Sequence, residues 1–102
     1  MSAYVVVDIE VKDQATYDRY KLLAPPAIAA YGGRYLTRGG ETNVLEGDWV
    51  PRRFVIVEFP SLERARAWWS SPEYAEAKRL RQASASTNMV VTEGLPPGVT
   101  FP

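Results

Sequence analysis

Hydrophobic and polar positions alternate from the first residues of the chain. Val5, Val7, Ile9 and Val11 fall on one face at period two, and Tyr4, Val6, Asp8 and Glu10 fall on the other. This predicts a β-strand over residues 4–11 with one apolar and one mixed face. After Asp13, a residue suited to capping a helix, the period changes. Tyr17, Tyr20, Ala24, Ile28 and Tyr31 recur three and four apart, which is a helical stripe. Pro25-Pro26 is expected to kink or break that helix, and Gly32-Gly33 to stop it. Residues 34–38 predict a second short strand, with Gly39-Gly40 as a bulge or bend and residues 43–46 continuing the strand beyond it. Residues 47–51 read as a turn. Residues 53–59, Arg-Phe-Val-Ile-Val-Glu-Phe, form the clearest strand. Pro60 ends it, and Ser61 caps a helix to about residue 70. Ser71 and Pro72 open a fresh helix as N-cap and first helical residue, running to about residue 83. Residues 88–93 predict the last strand. Residues 1–94 form one domain, and 95–102 an extended tail.

The order β-α-β-β-α-β is the split βαβ, or ferredoxin-like, pattern. The fold class is therefore α+β, with a four-stranded antiparallel sheet covered by helices on one face. The first strand offers Tyr4 and Val6 beside Asp8 and Glu10, and the central strand offers Phe54, Ile56 and Glu58 on one side and Val55, Val57 and Phe59 on the other, so the uncovered face holds apolar residues with a few carboxylates. Left in water it would be a large apolar patch. Two copies packed sheet to sheet about a two-fold axis would cover it, so a homodimer through the sheet faces is expected.

Composition narrows the chemistry. The 102 residues fit a single soluble domain. Lys and Arg total 12, as do Asp and Glu, so the net charge is zero and a nucleic-acid partner is disfavoured. There is no Cys and no His. That removes Ser-His-Asp and Cys-His catalysis, thiolate and imidazole metal sites, and disulfides. No phosphate loop, dinucleotide fingerprint or metal-ligand spacing is visible, so neither a metal nor a cofactor is expected. The first apolar run is broken by Asp8 and Glu10 and lacks a basic lead. It reads as neither a signal peptide nor a membrane span, which makes a cytoplasmic location the expectation.

Several motifs in order carry a family resemblance. They are Pro25-Pro26 with Tyr31-Gly32-Gly33, Arg38-Gly39-Gly40, Leu45-Glu46-Gly47-Asp48-Trp49, Pro51-Arg52-Arg53, Glu58-Phe59-Pro60-Ser61, Ala67-Trp68-Trp69-Ser70-Ser71-Pro72-Glu73-Tyr74, and Glu93-Gly94. Together they resemble the family called domain of unknown function 1330, over nearly the whole chain. The resemblance implies a dimeric α+β barrel, in which two ferredoxin-like subunits join their sheets. That superfamily holds cofactor-free monooxygenases, isomerases, lyases and haem enzymes, and also proteins of no known activity. It supplies a fold and not a reaction.

Candidate site residues follow from chemistry. Asp8, Glu10 and Glu58 are strand carboxylates, and one enclosed by the assembly would have a raised pKa and serve as a catalytic acid or base. Arg38 beside Gly39 and Gly40 presents a guanidinium next to open backbone, suited to an anion. Tyr20, Trp49, Arg53 and Trp69 complete the candidate ligand contacts. Against each stands a plainer role, as an ion pair at the dimer rim or as core packing. Two functional readings result. One is a small-molecule pocket in the barrel, for an anionic or aromatic ligand, with carboxylate proton transfer if it turns over. The other is a non-catalytic dimeric binding or structural module.

Overall fold

The computed structural model describes residues 1–99, and residues 100–102 of the expected tail lie outside the described residues. The elements are β1 (Ala3–Val11), α1 (Gln14–Ala30), β2 (Arg34–Arg38), β3 (Arg53–Phe59), α2 (Leu62–Trp69), α3 (Pro72–Ser84) and β4 (Ala85–Glu93). All strand pairs are antiparallel, and the order across the sheet is β2-β3-β1-β4. This is the expected ferredoxin-like α+β fold, with the second helical segment split by the Ser71-Pro72 cap. Residues 94–99 carry no helix or strand.

Alternation in β1 organises the core. Val5, Val7 and Ile9 are buried beneath the helices, with Val55, Val57 and Phe59 of β3 beside them. Tyr17, Tyr20, Ala24, Ala27 and Ile28 of α1 and Tyr74, Ala77 and Leu80 of α3 close over that layer. Burying each such large side chain contributes about 1.5–3 kcal/mol. The aromatic contacts Phe59–Trp68 and Trp68–Tyr74, at ring-centroid distances of 5.2 and 4.2 Å, tie β3, α2 and α3 together. The caps form as the sequence predicts: Asp13, Ser61 and Ser71 accept from the backbone N–H groups of Thr16, Arg64 and Tyr74. Gly33 is pressed between Phe59 and Ile28, where a Cβ would lie 2.6–2.7 Å from their carbons, so no side chain fits.

Three local expectations are corrected. Helix α1 does not end at Pro25-Pro26 but runs through both. Pro25 has no N–H to offer the Lys21 carbonyl. Arg38 fills that gap, its Nη2 donating to Lys21 O at 3.1 Å. Gly39 bends the chain after β2, as expected, and a bulge lies within β2 itself, between Tyr35 and Thr37. One extra residue reverses the alternation, so Arg38 stands opposite Val55 on the helix side of the sheet. Residues 43–46 form no strand and are exposed. Finally, β4 starts at Ala85, three residues early, because Ala85 and Ser86 pair with Val11 and Glu10.

The Arg38 contact makes a double-mutant prediction. Arg38→Met is expected to cost about 1 kcal/mol, or about 4–8 °C in melting temperature for a domain of this size. In a Pro25→Ala background, residue 25 regains its N–H and the loss should shrink toward zero. Equal losses in both backgrounds, measured by thermal denaturation, would refute the carbonyl-capping role.

Candidate functional site

Two spaces on the helix side of the sheet involve the candidate residues. The first lies under α1 and is closed by Tyr17, Tyr20, Tyr35, Arg38 and Arg53, with a volume of about 20 Å³. That is room for roughly one water. Its polar groups are engaged with one another. Arg53 Nε donates to the Tyr17 hydroxyl at 3.0 Å, and the Tyr20 and Tyr74 hydroxyls are 3.3 Å apart. The Arg38 guanidinium lies 4.8 Å from the Tyr35 ring centroid. Burial, first of all, pushes the Tyr20 hydroxyl far above its ordinary pKa and raises that of Tyr35, so both stay neutral.

The second space is a groove of about 400 Å³ between α2 and β4, walled by Ala65, Trp68, Trp69, Met89 and Val91. Its lining is mostly apolar. Trp68 is 2% exposed, and its indole N–H is buried with no hydrogen-bond partner among the described residues. Such an unmet donor costs about 1–3 kcal/mol. Trp69 is its neighbour on α2 but remains 38% exposed at the groove wall. The Lys78 ammonium lies 4.5 Å from the Trp69 ring centroid.

The carboxylates lie on the opposite face. Asp8 accepts from Trp49 Nε1 at 2.8 Å and from the Arg52 backbone N–H at 2.9 Å, which ties the 39–52 loop to the sheet. Trp49 also meets Phe54 edge-on at 5.8 Å. Glu10 pairs with Lys12 at 2.9 Å and with Arg52 at 3.8 Å. Glu58 accepts from Arg34 at 2.8 Å and from the Tyr4 hydroxyl at 3.4 Å. The Lys12 contact holds Glu10 below its ordinary pKa, and hydrogen bonds from Ser2 and Arg34 do the same for Glu58. In the single chain each of these two is ion-paired rather than desolvated. Among the described residues no group of three or more acidic side chains is placed to hold a metal. No helix of the described residues is long and apolar enough to cross a membrane.

A family model described as Domain of unknown function (DUF1330) matches residues 2–95. The chain belongs to this family. No curated protein matches it. Among solved structures it is similar to RPA0582, a protein of unknown function from Rhodopseudomonas palustris, with a TM-score of 0.76 and 20% identity over 94% of this chain and 84% of that one. A dimeric ferredoxin-like protein of unknown function from Jannaschia sp. CCS1 gives a TM-score of 0.68 and 13% identity over 92% and 100%. SnoaB, a cofactor-independent oxygenase from Streptomyces nogalater, gives 0.64 and 10% over 95% and 96%. Likeness at these identities carries the fold.

In this DUF1330 chain the candidate residues separate into distinct places. Tyr20, Arg38 and Arg53 share the small cavity, Trp69 stands at the groove, and Trp49 joins Asp8 on the open face. Gly39 and Gly40 form an exposed bend. Gly39 has φ +73°, donates its N–H to Phe54 O at 2.8 Å, and would set a Cβ 2.6 Å from Arg53 Nη1. Sequence reasoning missed Trp68, Met89, Arg81 and Thr87 as pocket residues. One signal was present: Arg81 continues the buried α3 stripe Tyr74, Ala77, Arg81, Ser84, a position where a charge needs a reason.

The depressed carboxylate pKa values set the acid behaviour. A carboxylate with a lowered folded-state pKa contributes stability fully above its unfolded value and loses it as pH falls through the folded one. Glu58→Gln should therefore flatten the decline in stability between about pH 5 and pH 3. Denaturant titrations across that range test this, and an unchanged slope would contradict the assignment.

Proposed function

We propose that the protein binds a small apolar or aromatic molecule in the groove between α2 and β4, as a homodimer joined through its open sheet faces. The groove carries this reading. Its volume of about 400 Å³ is within the range of small-molecule sites, and Trp68, Met89 and Val91 give it a mostly apolar wall. Arg66 and Ser70 also line it and supply the polar groups that would orient a ligand. Trp69 supplies a second aromatic surface. SnoaB shares the fold and is a cofactor-independent oxygenase, which supports a small-molecule role for this scaffold.

The reading assigns Asp8, Glu10, Glu58 and Trp49 to the dimer face rather than to proton transfer. Val6, Phe54 and Ile56 form an apolar centre there, and the Arg34–Glu58 and Glu10–Arg52 pairs flank it. Val90 beside them is 64% exposed. An apolar centre with a charged rim is the anatomy of a protein interface. The dimeric Jannaschia protein supports a second copy as its occupant. Arg38 and Arg53 then hold the fold under α1.

Two outcomes are expected. Sedimentation should give twice the 11.4 kDa chain mass, and Val6→Asp should shift it to the single-chain mass without loss of helicity. An unchanged mass in the variant would remove the sheet face as the interface. Calorimetric titration with 2-naphthylmethanol should show saturable binding. At about half a kcal/mol for each of roughly twelve heavy atoms, the Kd falls on the order of 10–100 µM. Val91→Trp, on the exposed wall, should abolish it. Absent binding, or binding indifferent to that substitution, would overturn the groove reading.

A further inference from the structure

Beyond Trp69 and Met89, which also wall the groove, lies a second space of about 370 Å³ with a mostly polar lining. Arg81 of α3 and Thr87 of β4 line it, with Gln82 beside them. Arg81 is 3% exposed, although arginine is almost never fully buried without a partner. No carboxylate among the described residues lies within ion-pair distance of it. Its side chain makes one hydrogen bond among those residues, from Nε to the Tyr74 hydroxyl at a long 3.4 Å. The guanidinium carbon sits 5.8 Å from the Trp69 ring centroid. Thr87 Oγ1 is buried with no partner among the described residues.

Two side chains with unmet polar groups thus line one space from different elements. Thr87 faces the helix side by register, opposite Ile9 of β1. A buried guanidinium with free donors is costly unless an acceptor reaches it. The hydroxyl next to it also needs an acceptor or donor. No acidic residue lines the space, so the field there is positive although the chain as a whole is neutral.

We propose that this space is an anion subsite that takes the carboxylate of a small organic acid, with Arg81 and Thr87 as its donors. A planar carboxylate matches the fork of a single guanidinium, and its second oxygen is free to accept from a hydroxyl. A doubly charged phosphate ester would call for more cationic donors than the lining offers. The apolar body of the acid passes Trp69 and Met89, the two residues shared with the groove, and lies against Val91 and Trp68. For that apolar body the proposal rests on the groove reading above. It adds the sign of the ligand's charge and the end at which that charge sits.

The test compares two probes of one shape by calorimetry at pH 7, 2-naphthoate and the neutral 2-naphthylmethanol. The naphthoate should bind at least tenfold more tightly. Arg81→Gln should erase that preference. Thr87→Val, which exchanges the unmet hydroxyl for a methyl group of like shape, should weaken naphthoate about threefold and leave the alcohol unchanged. Circular dichroism shows whether Arg81→Gln folds, and the valine variant decides the matter if it does not. Equal binding of the two probes overturns the subsite and leaves the groove standing. A preference for naphthoate that neither variant alters also overturns it. Binding of naphthoate alone supports the subsite and removes the groove, and binding of neither removes both.

Discussion

Strand β1 is hydrogen-bonded along both edges, and its two-residue alternation decides which chemistry each side of the molecule holds. Val5, Val7 and Ile9 are fixed beneath the helices, and β3 and β4 align to them through the pairs Val5↔Val57 and Val5↔Val91. Tyr4, Val6, Asp8 and Glu10 must then face away. A slip of one residue would move the whole apolar set into water and both acids into the core. The burial of three aliphatic side chains on β1 therefore keeps Asp8 and Glu10 apart from the tyrosines and arginines of the helix side. The same rule, broken once by the β2 bulge, carries Arg38 back toward α1.

The helix side is held by a linked set of aromatic and polar groups. Trp68 stacks on Tyr74, the Tyr74 hydroxyl meets both the Tyr20 hydroxyl and Arg81 Nε, and Tyr20 also contacts the Tyr17 ring at 5.3 Å. Tyr74 is thus a junction between the closed cavity under α1 and the more open space beside α3. A buried network of this kind fixes side-chain positions because each member left unpaired is expensive. The network ends at Trp68, whose buried indole N–H has no partner among the described residues, and at Arg81, whose one hydrogen bond among them is to Tyr74.

Much of the fold was legible because local and tertiary signals agree. The alternation in β1 and β3, the Asp13, Ser61 and Ser71 caps and Pro72 at the first helical position each name their element. Legibility failed where a distant group settles a local conflict. Pro25-Pro26 reads as a break until Arg38 supplies a donor from a neighbouring strand. Ala85 and Ser86 lack strand propensity, and pairing with β1 overrides it. Alternation places Asp8 and Glu10 on one face, yet the contacts that lower Glu10 and Glu58 come from Lys12 nearby and from Ser2 and Arg34 on other segments. Composition alone could not show that Arg81 is buried, since its stripe position outweighs its charge only once α3 is docked.

Zero net charge conceals this separation. The acids of the open face are matched by Arg34, Arg52 and Lys12, so that face is nearly neutral in detail as well as in sum. On the helix side, Arg53 and Arg81 have hydroxyls and rings as partners and no carboxylate among the described residues. A guanidinium surrounded by low-dielectric aromatic walls projects its field into the adjacent space with little screening. The positive field is therefore local to these side chains: in a neutral chain with a balanced open face, the remaining charges also sum to zero.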